Sequence, residues 1–103
     1  MSEQLWELVK KIPAGRVASY GALGGCLEPP LSGYFVGRLM ARCPADVPWW
    51  RVVTKNGDLA VHKRDPLIAA EQRQKLRLEK TTMADDDRVS PSAFVDPATL
   101  LEE

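Results

Sequence analysis

The stretch "SYGALGGCLEPPLSGYFVGRLMAR", residues 19–42, decides how this chain folds. Ser19 is a good N-cap for a brief helix from Tyr20 to about residue 27, because its side-chain oxygen can take one of the orphan amides of the first turn. Gly24 and Gly25 make that helix weak by itself. "EPPLSG" then forces a turn, since each proline disfavours helical geometry in the residue before it. A second helix is expected over residues 32–42. Two short helices joined by a tight turn form a helix-turn-helix, whose second helix commonly enters a DNA groove.

The flanks are compatible with that centre. On the N-terminal side Leu5, Leu8, Val9 and Ile12 recur at helical spacing after a capping-type Ser2, Lys10 and Lys11 sit where the helix dipole favours cations, and Pro13 with Gly15 ends the helix. A short extended link, residues 16–18, leads back to Ser19. On the C-terminal side "WRVVT", residues 50–54, reads as a strand, "KNGD" as a turn and "LAV", residues 59–61, as the returning strand of a small hairpin. Asp65 caps a further helix with Pro66 at its first position, running to about residue 80, with Ile68, Gln72, Leu76 and Glu79 marking its faces. Beyond "TTMADDD" no period is strong, yet the segment carries enough apolar residues to dock. The expected organisation is one domain over residues 1–81 and an acidic C-terminal tail, residues 82–103, partly ordered and packing on that domain.

Composition narrows the function. In 103 residues with 45% hydrophobic content there is room for one modest core without a staple. No apolar run approaches the roughly 18 residues of a membrane helix, and the N-terminus resembles no secretory signal, so a cytoplasmic protein with no membrane partner is expected. Two cysteines, Cys26 and Cys43, and the single His62 offer no zinc-ligand spacing, so neither metal nor cofactor is expected, and both cysteines read as small buried hydrophobes. The net charge of zero hides an asymmetry: residues 1–83 hold 13 Lys and Arg against 8 Asp and Glu, whereas residues 84–103 hold Arg88 against six acids. A basic body suits an anionic partner.

"VPWWRVV", residues 47–53, raises the sharpest question, because two consecutive tryptophans before a strand are either core or a platform for a flat ligand. Together with "KIPAGRVASYGAL", "VGRLM" and "NGDL", in the same order and nearly the same spacing, it resembles the DNA-binding domain of O6-alkylguanine-DNA alkyltransferases over about residues 5–80. The resemblance implies a mainly α fold with a small β-hairpin, a winged-helix-like helix-turn-helix domain of the alkyltransferase C-terminal type. Active members carry Pro-Cys-His-Arg where this chain has Pro48, Trp49, Trp50 and Arg51, and an ungapped alignment sets Thr81 at their relay glutamate. With the three parts of an activated thiolate replaced together, no alkyl transfer and no catalytic residue are expected. Tryptophan in place of the cysteine, with "HKRD" and "AAEQRQKLRLE", is similar to the non-enzymatic alkyltransferase-like branch.

That likeness implies a protein that docks its helix-turn-helix in the minor groove of duplex DNA containing O6-alkylguanine, flips the base into a pocket and directs it to nucleotide excision repair proteins, acting as a monomer. It implies a lesion pocket of Tyr20, Trp49, Trp50, Arg51 and Arg64, with Trp49 and Arg64 as walls and Tyr20 at the mouth. A flipped base regains about 1–3 kcal/mol by stacking on an aromatic wall. The DNA-binding set implied is Ser19, Ser32, Gly33, Tyr34, Phe35 and Arg38. Tyr34 stands where the family has an arginine finger, Phe35 where it prefers a small residue, and Cys43 where an asparagine is usual. An alternative function is therefore an alkyltransferase-like fold that has lost lesion binding and serves as a protein-interaction module; a plain transcriptional helix-turn-helix ranks below both, as does an enzyme using either cysteine.

Overall fold

The computed structural model describes residues 2–59, 65–84 and 88–101. Helix α1 spans Ser2–Lys10 and turns Leu5, Leu8 and Val9 inward. It closes with tightened bonds from the Lys11 and Ile12 amides to the Leu8 and Val9 carbonyls, each 3.1 Å, before Pro13 ends it. The chain reverses through Gly15, at φ +89°, a conformation that glycine adopts without cost. Strand β1 (Ala18–Ser19) then feeds helix α2 (Tyr20–Gly25), with Ser19 accepting from the Ala22 amide at 3.2 Å.

Helix α3 (Gly33–Met40) begins at Ser32, whose hydroxyl accepts from the Phe35 amide, and buries Val36, Gly37 and Met40. The two helices cross through glycine. A Cβ on Gly24 would lie 2.0 Å from the Leu31 carbonyl oxygen, and one on Gly33 would lie 3.1 Å from the Gly21 nitrogen. Gly24, which weakens α2 as an isolated helix, is thus what lets the turn before α3, and Val36 on α3, come close to it. The turn between them is pinned from α1, where Gln4 donates to the Glu28 carbonyl at 2.9 Å and accepts from the Glu28 amide at 3.1 Å.

The expected two-stranded sheet is present, but its pairing differs from a hairpin. Strand β2 is only Val52–Val53, and it runs parallel to β1 in the register Ala18 to Val52 and Ser19 to Val53. The residues before it, Trp49–Arg51, form a 3₁₀ turn instead of the start of a strand. The KNGD turn does form: the Thr54 amide donates to the Asp58 carbonyl at 3.2 Å and the Thr54 hydroxyl accepts from the Asp58 amide at 3.0 Å. Gly57, at φ +89°, brings this turn against the backbone of Val89. Of the returning half, residues 60–61 lie outside the described residues.

Helix α4 (Pro66–Leu78) is capped by Asp65, which accepts from the Leu67 amide at 2.9 Å. Its far end is a Schellman closure, with the Lys80 amide on the Arg77 carbonyl, the Thr81 amide on the Leu76 carbonyl, and Lys80 itself at φ +62°. The chain beyond docks along the body. Met83 and Val89 make an antiparallel bridge, Phe94 bridges Val17 in parallel, and a last helix α5 (Pro97–Leu100), capped by Asp96, buries Pro97 and Leu100.

Two cores result, divided by the small sheet. Ala18 and Val52 belong to the first, with Leu5, Leu23, Val36, Met40 and Leu100; Val17 and Val53 belong to the second, with Leu76, Val89 and Ala93. Successive strand residues point to opposite faces, so this alternation assigns each residue its core. Among the described residues no helix is long and apolar enough to cross a membrane.

Candidate functional site

The same division accounts for the consecutive tryptophans. Trp49 packs on the first core and Trp50 on the second, their rings edge to face at 6.1 Å and 84°. The 3₁₀ turn that splays them is closed by the Arg51 amide on the Pro48 carbonyl at 3.1 Å. Both indoles are half-buried, so each keeps an accessible part.

Trp50 is fixed from several sides. The Lys75 ammonium lies 4.8 Å from its ring centre and the Arg51 guanidinium 5.7 Å, both within cation–π range. Buried Gln72 donates to the Trp50 carbonyl at 3.0 Å and to the Val52 carbonyl at 3.1 Å, clamping the backbone on both sides of Arg51. Trp50 is therefore held from several sides, and Trp49, equally half-buried, packs beside it on the first core.

Arg51 joins three elements. Its Nη1 donates to the Ile12 carbonyl at the end of α1 at 2.8 Å, and its Nε lies 3.0 and 3.2 Å from the two Glu79 carboxylate oxygens, with Nη2 completing the fork. The side chains are 16% and 15% exposed, so this is a largely desolvated bidentate pair. Burial pushes the Glu79 carboxyl up, but the Arg51 hydrogen bonds, the Trp50 indole dipole, the Arg51 charge and the Gly15 amide together hold it below its ordinary value. The Trp50 Nε1 makes no hydrogen bond of full geometry, so it acts on the carboxylate as a dipole only.

The carboxylate facing this turn is thus Glu79, not a side chain at position 81. Thr81 is buried, its hydroxyl without a hydrogen-bond partner, and a glutamate does stand beside the Trp-Trp-Arg turn. Gln72, Lys75 and Glu79 were missed as site residues, although their i, i+3 and i+7 spacing puts them on one face of α4.

The remaining expected residues separate into three groups. Tyr20, expected at a pocket mouth, is only 8% exposed; it shares the first core with Trp49, and burial pushes its phenol well above the usual range. Ser19 and Ser32 are spent as helix caps, and Gly33 sits in the helix crossing. Tyr34, Phe35 and Arg38 are exposed on α3. Arg64 lies outside the described residues. Cys26 and Cys43 are half-buried and form no disulfide, and burial, with Asp96 nearby, pushes the Cys26 thiol up, which lowers its thiolate fraction. No group of three or more His, Cys, Asp and Glu side chains that could hold a metal occurs among the described residues.

The fold has known relatives. The family model described as 6-O-methylguanine DNA methyltransferase, DNA binding domain, matches residues 1–81. The chain is 37% identical over 79 residues to Alkyltransferase-like protein 1 of Schizosaccharomyces pombe, covering 75% of this chain and 70% of that one. It is 26% identical over 89 residues to the DNA base-flipping protein of Vibrio parahaemolyticus, covering 84% and 86%. Among solved structures, S. pombe Atl1 in complex with damaged DNA containing O6-carboxymethylguanine shares the fold, with a TM-score of 0.74 at 24% identity over 91% of this chain and 93% of that one. S. pombe ATL in complex with DNA gives a TM-score of 0.69 at 28% identity over the same shares, 91% and 93%. The chain belongs to the family of the 6-O-methylguanine DNA methyltransferase DNA-binding domain, and within it stands with the alkyltransferase-like proteins.

Proposed function

We propose that this protein is a non-enzymatic sensor of alkylated DNA, which docks α2 and α3 on a duplex, turns an O6-alkylguanine out of the stack and holds it against Trp49. The observation that carries this reading is the division of labour at the 3₁₀ turn. Trp50 is clamped by Lys75, Arg51 and Gln72, and that clamp presents a half-buried Trp49 next to it at the head of β2. An indole held in this way is a stacking wall and is neither a nucleophile nor a base. The glutamate that could have joined a proton relay is engaged by Arg51. Family membership and the relatives named for base flipping support the same reading.

A bound lesion that is not repaired in place has to be passed on, and nucleotide excision repair proteins are the proposed recipients. Lesion recognition is tested by titrating the protein with a duplex carrying one O6-methylguanine and with the unmodified duplex, at the same stated salt. At least a tenfold preference for the modified duplex is expected. Equal affinity would leave the protein-interaction reading, for which exposed Tyr34 and Phe35 are the available surface.

A further inference from the structure

Helix α1 and the end of α2 border a groove of about 340 Å³, at the small end of the range for ligand clefts, roughly 300–1,000 Å³. Its floor is apolar. Leu8, Leu27 and half-buried Cys26 line it, and Leu101, just past α5, borders it while 53% exposed. Gln4, another lining residue, is fixed by its two hydrogen bonds to the Glu28 backbone. The rim is charged: Glu3, Glu7 and Lys11 follow one another at four-residue intervals along one face, and all three are exposed. Among the described residues none of these three side chains makes an ion pair or a hydrogen bond. Neighbouring Lys10, by contrast, is paired with Asp46 at 3.3 Å.

The isolated helix gains little from this arrangement. Glu3 suits the dipole of the first turn, but Glu7 sets a second carboxylate one turn above it, and like charges at that spacing destabilise a helix. Glu7 and Lys11 have the spacing of a stabilising pair and do not close it. The three charges are therefore available to a molecule lying in the groove. Nucleic acid does not fit, because the two carboxylates repel phosphate. The surface of α3 has the opposite character, with Arg38, then Arg42 just beyond it, and no carboxylate between Glu28 and Asp46. From Glu3 to Lys11 the helix rises about 12 Å, which roughly four residues of extended chain span. We infer that the groove binds a short extended segment of a protein partner: a basic residue at the Glu3 and Glu7 end, apolar side chains on the floor of Leu8, Leu27 and Leu101, and an acidic residue at the Lys11 end. The unlike ends of the rim give the segment a direction. The groove contains no residue of the tryptophan turn or of α3, so this binding is independent of the lesion recognition proposed above.

The probe is the blocked peptide Arg-Leu-Leu-Asp, carrying a C-terminal fluorescein on a glycine linker, titrated with the full chain and read by fluorescence anisotropy. Two controls carry the same label: the reversed peptide Asp-Leu-Leu-Arg, and Arg-Ser-Ser-Asp without the apolar side chains. Saturable binding of the first is expected, with each control at least about tenfold weaker. Glu7→Lys should weaken the peptide about tenfold or more. The milder double variant Glu3→Gln with Glu7→Gln should weaken it severalfold, and circular dichroism should show both variants folded, since both positions are exposed. Bound peptide should slow alkylation of Cys26 by iodoacetamide and leave Cys43 unchanged, with the two thiols resolved by mass spectrometry. The proposal is overturned by no saturation up to about 1 mM protein, by equal binding of the reversed peptide, by a folded double variant that binds as the wild-type protein does, or by an unprotected Cys26. Displacement of the peptide by unmodified duplex would make the groove a nucleic-acid surface, and self-association abolished by Glu7→Lys would give it to a second copy of this chain. Either result also overturns the proposal.

Discussion

The bidentate pair between Arg51 and Glu79 holds the end of α1, the tryptophan turn and the end of α4 in one place, so Glu79→Gln is the most informative single perturbation of the fold. Removing one partner of a buried ion pair costs about 3–5 kcal/mol, since the other charge is left desolvated. Glutamine keeps one acceptor and the Ile12 carbonyl still takes Nη1, which reduces the expected loss to about 2–3 kcal/mol. For a domain of this size that lowers Tm by roughly 10–20 °C. The pH dependence carries a second signature. The folded carboxyl lies below its ordinary value of 4.5, so its contribution is complete above that value and is lost as pH falls through the depressed folded pKa. The glutamine variant cannot titrate there, so the difference between the two proteins should shrink as pH is lowered from about 5 towards 3. Urea unfolding at a series of pH values measures both. A loss under about 0.5 kcal/mol at pH 7, or a difference that does not change with acid, would refute the reasoning and make the pair an ordinary surface salt bridge.

Three further outcomes follow from particular positions. Gly24→Ala puts a Cβ 2.0 Å from a backbone carbonyl, so α2 and α3 must separate, at a cost of roughly 3 kcal/mol visible in thermal melts. Lys80→Gly relieves a left-handed residue at the end of α4, at φ +62°, and should stabilise by about 0.5–1 kcal/mol in urea titration after the entropy of the unfolded glycine is counted. Trp49→Cys places a thiol at the turn, but Trp50 supplies no base and Glu79 is held by Arg51, so a labelled methyl group should not pass from O6-methylguanine DNA to the protein even over long incubation.

Local chemistry was legible in the sequence and long-range pairing was not. Ser19, Ser32 and Asp65 each cap the helix they were expected to begin, because a cap depends on two or three neighbouring residues. The KNGD turn formed for the same reason. The partner of β2 is β1, more than thirty residues earlier in the chain, and nothing within 52–53 specifies it. Glu79 was missed as a site residue because its place beside the Trp-Trp-Arg turn depends on the closure of α4, which sets it against Arg51 from a distant part of the chain. Val89, Ala93 and Leu100 show no single period, since they enter the cores from a bridge, a 3₁₀ turn and a short helix. That the two tryptophans part to different cores depends on the sheet between those cores, which no local pattern at 49–50 specifies.

The central claim is that Trp49 is the wall against which a flipped alkylguanine stacks, and Trp49→Ala tests it most directly when read as the ratio of affinities for modified and unmodified duplex. Loss of the stacking face should cost about 1–3 kcal/mol on the modified duplex alone, roughly a fivefold to 150-fold fall in the ratio, while the Trp50 clamp keeps the fold intact. A folded alanine variant whose ratio equals that of the wild-type protein would contradict the account, because the lesion would then be recognised somewhere other than at Trp49.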